Sequence, residues 1–342
     1  MIISATTVKD SRENVEKFLR RNRRGGIDHL VVFLDAPMPE VEELLGSRPD
    51  VTTVRAYGEW WAGEERGNLN ERQITNTGLL SRLVAGYPWA EWLFQLDGDE
   101  VAQIDRSALD GLDPSERVVQ LTTLEAVSSM RPERDPTLFK RLLDGDELTL
   151  LAVLGVIPQA TARSYFRGHV SGKPGLRPSA DLALGLHHVI DLGTGERVEA
   201  VTDPGLTVLH YESYSGKEFV RKWMALLASG GDVKQHGARE PLARSIRALL
   251  SLDLDEAGRA AWLERLFERC ALDDVDTLSR LHLLVEIEPD ARVRASEPDA
   301  AAGIAQLGAL LERAHPVPKK QFRPRATNAR TGKVLAGLRR GI

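Results

Sequence analysis

Over residues 1–97, short apolar runs alternate with amphipathic helical stretches, and that alternation restricts the fold more than any other feature of the chain. Met1–Thr7, Ile27–Leu34 and Val51–Tyr57 are apolar and β-branched, and each reads as a strand. Ser11–Arg24 places Val15, Phe18 and Leu19 on one helical stripe behind a capping serine and stops at Gly25-Gly26. Pro39–Leu45 reads as a short helix and Asn70–Gly86 as a longer one, followed by an apolar strand that runs into Asp97. Strand–helix–strand repetition predicts an α/β, Rossmann-like layout: a mixed, mostly parallel sheet flanked by helices.

Further strands are expected at Val118–Leu124, Leu148–Pro158, Tyr165–Val170 and Leu206–Tyr211. After Ser215 the period changes to that of helices, at Lys217–Ala228, Pro241–Ser251, Asp255–Cys270, Asp274–Glu288 and Ala300–Ala314. The expected division is an α/β domain over 1–235, a helical region over 236–315 and a basic tail over 316–342, with the first boundary between 230 and 240. No acid occurs after Glu312, whereas Arg313, Lys319, Lys320, Arg323, Arg325, Arg330, Lys333, Arg339 and Arg340 do. The tail reads as a solvated, partly disordered terminus, and its charge also suits an anionic membrane surface.

Composition excludes several classes. A net charge of −5 gives no global basic field for nucleic acid. Cys270 is the single cysteine, so neither an internal disulfide nor a thiolate zinc site can form. No apolar run approaches the roughly 18 residues of a membrane span, and Met1–Asp10 lacks a signal-peptide layout. The expectation is a cytoplasmic protein, with peripheral contact at the inner membrane face through the tail; oligomeric state is left open.

The chemistry concentrates where the fourth apolar strand ends in Asp97-Gly98-Asp99-Glu100. Carboxylates this close repel one another and are expensive to keep ionised unless water or a cation neutralises them. At the carboxyl end of a strand they face the crevice where α/β sheets bind ligands. Hard oxygen donors suit Mg²⁺ or Mn²⁺ shared with a substrate phosphate, although Asp-Gly-Asp also makes ordinary turns. Asp144-Gly145-Asp146-Glu147 repeats the text without a strand before it and reads as a turn. Trp60-Trp61 sits in a polar loop, where the indoles either stack on a ligand or pack inside; Trp89, Trp92 and Trp223 read as core.

The order of these features resembles a family 2-like glycosyltransferase of the GT-A superfamily, in a subgroup with an Asp-x-Asp-Glu motif. Phe18-Leu19 through Gly26 to Val32 is similar to the family's opening helix, glycine turn and second strand. Asn70-Glu71-Arg72-Gln73 opens the helix that leads to the acid motif. Ser171–Pro178 resembles the acceptor-side lysine and arginine segment, Gly185-Leu186-His187-His188 the glycine–histidine turn, and Leu209-His210-Tyr211 with Phe219–Trp223 the late histidine strand and helix. Thr6–Asp10 and Asp35–Glu40 depart from the family's usual opening motifs.

The resemblance implies a GT-A-like fold and a metal-dependent transfer of a sugar from a nucleotide-sugar donor to a saccharide or glycolipid-like acceptor. Asp99 is the expected direct ligand of Mn²⁺ or Mg²⁺, with Asp97 acting through water or on the ribose and His210 as third ligand. Asp35, Arg72, Lys173 and Arg177 are the expected donor contacts alongside Asp97. Asp181, His187, His188 and Glu212 are candidates for the general base, Asp181 first. The alternatives are a nucleotide- or carbohydrate-binding protein on a degenerate glycosyltransferase fold, and a phosphoryl- or nucleotidyl-transfer enzyme.

Overall fold

The computed structural model describes residues 1–228, 240–291, 301–324 and 329–341. The chain forms two compact units: Met1–Thr122 with Ser171–Val208 and Pro289–Ile342, and Thr123–Val170 with Leu209–Glu288. The first unit opens with β1 (Ile2–Val8), α1 (Arg12–Arg24), β2 (His29–Leu34), α2 (Pro39–Gly46) and β3 (Val51–Arg55). α3 (Leu69–Val84), β4 (Trp92–Gln95), β5 (Glu100–Ile104) and α4 (Arg106–Asp110) follow. β6 (Val118–Ala126) starts in the first unit and ends in the second. The second unit continues with β7 (Leu138–Lys140), α5 (Gly145–Val153) and α6 (Ala162–Tyr165). The chain then returns to the first unit for β8 (Lys173–Leu176), β9 (Leu182–Leu184), β10 (Val189–Asp191) and β11 (Arg197–Val198). β12 (Leu206–His210) crosses into the second unit again, which holds α7 (Gly216–Ala228), α8 (Glu240–Leu250), α9 (Glu256–Cys270), α10 (Val275–Arg280) and β13 (Leu284–Glu286). α11 (Ala301–Ala314) and α12 (Ala329–Arg339) complete the first unit.

In the first unit β3, β2, β1 and β4 run parallel in that order, and β8 pairs antiparallel with both β4 and the start of β6. Alternate residues leave the sheet on opposite sides. Ile3, Ala5, Val31 and Phe33 join Leu79, Leu80 and Leu83 of α3 and Leu307 and Leu310 of α11. Ile2, Leu30, Val32 and Leu34 join Val15, Phe18 and Leu19 of α1 and Val41 and Leu45 of α2. Both faces are therefore covered, as a parallel sheet requires, and the α/β class with a mixed, mostly parallel sheet flanked by helices holds. In the second unit β13 pairs with β7 and β7 with the end of β6, all antiparallel. No described helix is long and apolar enough to cross a membrane.

Four local readings give way. Leu148–Pro158 is not a strand: Asp144 accepts from Asp146 and Glu147, Glu147 bonds back to Asp144, and this capping box starts α5. Tyr165–Val170 is the end of α6 and irregular chain. Asp274–Glu288 splits into α10 and β13, because His282 takes a positive φ of 55° between them. The basic tail, where described, is folded onto the first unit, with Lys319 and Phe322 fully buried. The helical stretches do not form one region, since α7–α10 lie in the second unit and α11 in the first. The boundary expected between 230 and 240 falls on residues outside the described set. Trp60 and Trp61 pack inside, which decides between the two readings of that loop.

His29 is buried in β2 with Nε2 2.7 Å from the Thr52 hydroxyl, and burial pushes its pKa down from 6.5 to about 4. The unfolded chain therefore binds a proton that the folded chain refuses between those two values, and stability falls as the pH drops through this window. Urea unfolding of the wild type and His29→Gln from pH 7 to pH 4 should show the difference between them shifting against the wild type by on the order of 2 kcal/mol.

Candidate functional site

The carboxyl ends of three neighbouring parallel strands carry the polar groups of the first unit. Asp35 directly follows β2, and its backbone N–H donates to the Val8 carbonyl at the end of β1 (2.9 Å). The Asp97–Glu100 turn follows β4 and is closed by the Glu100 N–H on the Asp97 carbonyl (3.1 Å). The two acidic positions thus stand on either side of the end of β1.

The first turn of α3 joins them. Asn68 caps the helix by accepting from the Glu71 N–H (3.0 Å). Arg72 then forks onto both oxygens of Asp35, from Nε at 2.8 Å and Nη2 at 2.6 Å, and Arg66 adds a contact of 2.7 Å to Oδ1. The next residue, Gln73, donates to Asp97 Oδ1 at 2.7 Å. Neighbouring residues on one helical turn therefore serve the two acids separately.

Asp97 is engaged on both oxygens. Gln73 and Gln95 (2.9 Å) bond Oδ1, and the Lys173 ammonium lies 2.6 Å from Oδ2. The same ammonium is 3.2 Å from Glu100 Oε2, which also accepts the Asp97 N–H at 2.8 Å. Lys173 and Glu100 have no exposed side-chain surface. Burial alone would depress the lysine pKa, but Asp97 and Glu100 outweigh it and hold the ammonium above its ordinary value. Asn22 fixes the strand behind Glu100, donating to the Glu100 carbonyl (2.9 Å) and accepting from the Ala102 N–H (2.8 Å).

The protein itself supplies a cation to the acid motif. For Asp97 and Glu100 the cation is Lys173. Both oxygens of Asp97 accept hydrogen bonds, Oδ1 from two amides and Oδ2 from the Lys173 ammonium, whereas Asp99 is half-buried at the tip of the turn.

The antiparallel pairing of β8 with β4 separates two residues expected together. Leu93 pairs with Leu176, so Lys173 lies toward the acid turn, whereas Arg177 reaches the other end of β4 and stacks on the Trp92 ring at 4.4 Å. Asp181 shares that far end and pairs with Arg117 at 2.8 Å. Desolvation would raise its pKa, but Arg117 and Ser179 hold it below the usual carboxylate value. A weakened base remote from the acid turn is a poor proton acceptor, and both Arg177 and Asp181 are withdrawn from the site. The chain turns back along β9, and His187 Nδ1 comes 3.0 Å from the Gly172 carbonyl, next to Lys173.

His210 and Glu212 belong to the second unit. His210 Nε2 is 3.5 Å from Glu212, whose other oxygen is 2.9 Å from Lys222. The His210 ring lies 4.8 Å from that of His169, with Glu125 3.9 Å from Nδ1. Glu125 also pairs with buried Lys140 at 2.9 Å, and Lys140 with Asp273 at 3.1 Å. Burial would raise the Glu125 pKa; Lys140 and His210 keep it low.

Sequence reading assigned no role to Gln73, Gln95, Arg66, His169 or Glu125. Gln95 had a signal, because a strand residue two positions before Asp97 shares its face. Arg66 and His169 sit in irregular chain, where no period places a side chain.

No family model and no curated protein matches the sequence. Among solved structures, the mannosyltransferase PcManGT from Pyrobaculum calidifontis, in complex with GDP-mannose and Mn²⁺, aligns over 98% of this chain and 85% of its own at 15% identity and a TM-score of 0.30. A Bacillus anthracis protein assigned as a glucose-1-phosphate thymidylyltransferase, in complex with sucrose, aligns over 52% of this chain and 72% of its own at 10% identity and a TM-score of 0.29. These neighbours are nucleotidyl- and glycosyltransferases; at such scores the likeness carries no argument about the site.

Removing the shared cation leaves two buried or half-buried carboxylates facing each other. Lys173→Met should cost about 3–5 kcal/mol by urea denaturation, and Glu100→Gln in the same chain should recover part of it.

Proposed function

We propose that the chain is a nucleotide-sugar-dependent glycosyltransferase of GT-A type. The observation that carries this reading is the gathering of Asp35, Arg66, Arg72, Gln73, Asp97 and Lys173 at the carboxyl ends of parallel strands, where open α/β sheets take ligands. Arg72 presents a planar fork suited to a diphosphate, now satisfied by Asp35. Asp97, oriented by two amides and an ammonium, suits recognition of a ribose or sugar hydroxyl through its remaining lone pairs.

Mn²⁺ or Mg²⁺ would be held by Asp99 together with donor phosphate oxygens, and when bound it offsets the negative charge that grows on the leaving diphosphate. Among the base candidates His187 has the most suitable arrangement. A carbonyl only accepts, so the nitrogen facing Gly172 carries the proton and the basic lone pair lies on Nε2. His188 and Glu212 remain the alternatives, and His210 remains the proposed further metal ligand. A saccharide or glycolipid-like acceptor and the peripheral membrane contact belong to this reading.

Lys173 favours a second reading. An internal ammonium that neutralises Asp97 and Glu100 lets the fold keep its acid motif without a metal, as a nucleotide- or carbohydrate-binding protein would.

Two measurements separate these. Nucleoside diphosphates with Mn²⁺ should stabilise the protein by about 2.7 kcal/mol at one hundred times Kd in a thermal-shift screen. Asp99→Ala should abolish the Mn²⁺-dependent part while leaving the unliganded Tm unchanged; Mn²⁺-dependent stabilisation surviving in that variant refutes the metal assignment. Donor hydrolysis or transfer should also require Mn²⁺, whereas binding without turnover across a panel of donors and acceptors establishes the second reading.

A further inference from the structure

The segment after α11 ties down the loop that carries Arg66 and the helix turn that carries Arg72. Glu64 Oε2 accepts from the Lys319 N–H at 2.6 Å and the Lys320 N–H at 2.9 Å. Arg323 then reaches α3, donating from Nη2 to Glu71 at 2.9 Å and from Nε to the Thr75 hydroxyl at 3.2 Å. Residues 62–68, which include the first anchor and lead to the second, contain Arg66, and their backbone has positive φ at Ala62 (49°), Gly63 (78°) and Gly67 (72°). The Glu71 carboxylate lies over Gly67, where a Cβ would collide with it, and the Gly67 carbonyl accepts from Arg72 at 2.7 Å. Contacts therefore run without a break from Arg323 through Glu71 and Gly67 to Arg72 and Asp35.

The segment itself is built in. Phe322 is fully buried, and its carbonyl lies so close to Gly78 of α3 that any Cβ there would strike it. Lys319 is buried with its ammonium on the carbonyls of Ala314 and His315, at 2.9 Å each, and of Val317, and it sits 4.2 Å above the Trp60 ring. Arg82 of α3 donates to the Gln321 carbonyl at 3.0 Å.

We propose that Lys319–Arg323 is a positioning strap. It holds residues 62–68 and the first turn of α3 in the geometry that gathers Arg66, Arg72 and Gln73, and thereby sets the affinity of the first unit for a nucleoside diphosphate. The ligand in this proposal rests on the transferase reading; the mechanical role rests on the contacts alone.

The test compares full-length wild type, Arg323→Ala, Gly78→Ala and Glu71→Gln, with Arg340→Ala as a control. Hydrogen exchange reports on residues 60–75, and calorimetry measures GDP and UDP binding with Mn²⁺. Alanine is normally a better helix former than glycine, so faster loop exchange in Gly78→Ala is a signature that simple helix stability would not produce. Exchange should accelerate about tenfold in the three variants and Kd should rise about five- to tenfold, with Arg323→Lys recovering part of the loss. Glu71→Gln is the mild variant that keeps the test decisive where Arg323→Ala fails to fold. Unchanged loop exchange overturns the strap, and accelerated exchange with unchanged affinity overturns its positioning role. Accelerated exchange in a protein whose wild type binds neither nucleotide supports the strap and refutes the transferase reading instead.

Discussion

One buried ammonium organises the first unit's candidate site. Lys173 reaches the acid turn from an antiparallel strand and bonds Asp97 and Glu100 at once. A lysine without surface exposure is costly unless opposite charges surround it, and here the strand order supplies them. The cost of burying each group is offset only when all three are present. β4, the turn and β8 are thereby held in one register. The same ammonium engages one oxygen of Asp97 and one of Glu100.

Much of the fold was legible because burial imposes a period. The early strands and helices followed from β-branched runs and apolar stripes, and both faces of the sheet carry the residues that those patterns select. The errors share a cause. Leu148–Pro158 is an apolar run that suits either state, and the deciding signal was the Asp144–Glu147 capping box before it. β13 exists because its residues pair with β7, a non-local partner that no local pattern names. The tail has many charges, yet its buried positions among the described residues are Lys319, satisfied by carbonyls, Phe322, Thr331 and Leu338.

The site was legible in part for the same reason. Asp35 and Asp97 were read from strand ends, Arg72 from a helix start and Lys173 from a loop bracketed by Gly and Pro; Arg72 bonds Asp35 and Lys173 bonds Asp97. Arg177 and Asp181 were misplaced because motif order along the chain does not reveal which end of an antiparallel strand a residue reaches. Arg66 comes from irregular chain and the strap residues from a single short 3-10 turn, and their contacts span up to 256 positions of sequence. Topology decides such pairings, and topology is what local reading lacks.

The first unit is assembled from the beginning, middle and end of the chain. Its α3 face, with Leu79, Leu80 and Leu83, is completed by Leu307, Leu310 and Phe322. A nascent chain emerging from the ribosome would therefore display that greasy surface until α11 and Phe322 had followed. Synthesis cannot finish this unit before turning to the other, so a stalled or prematurely stopped product is a natural client for chaperones and proteases.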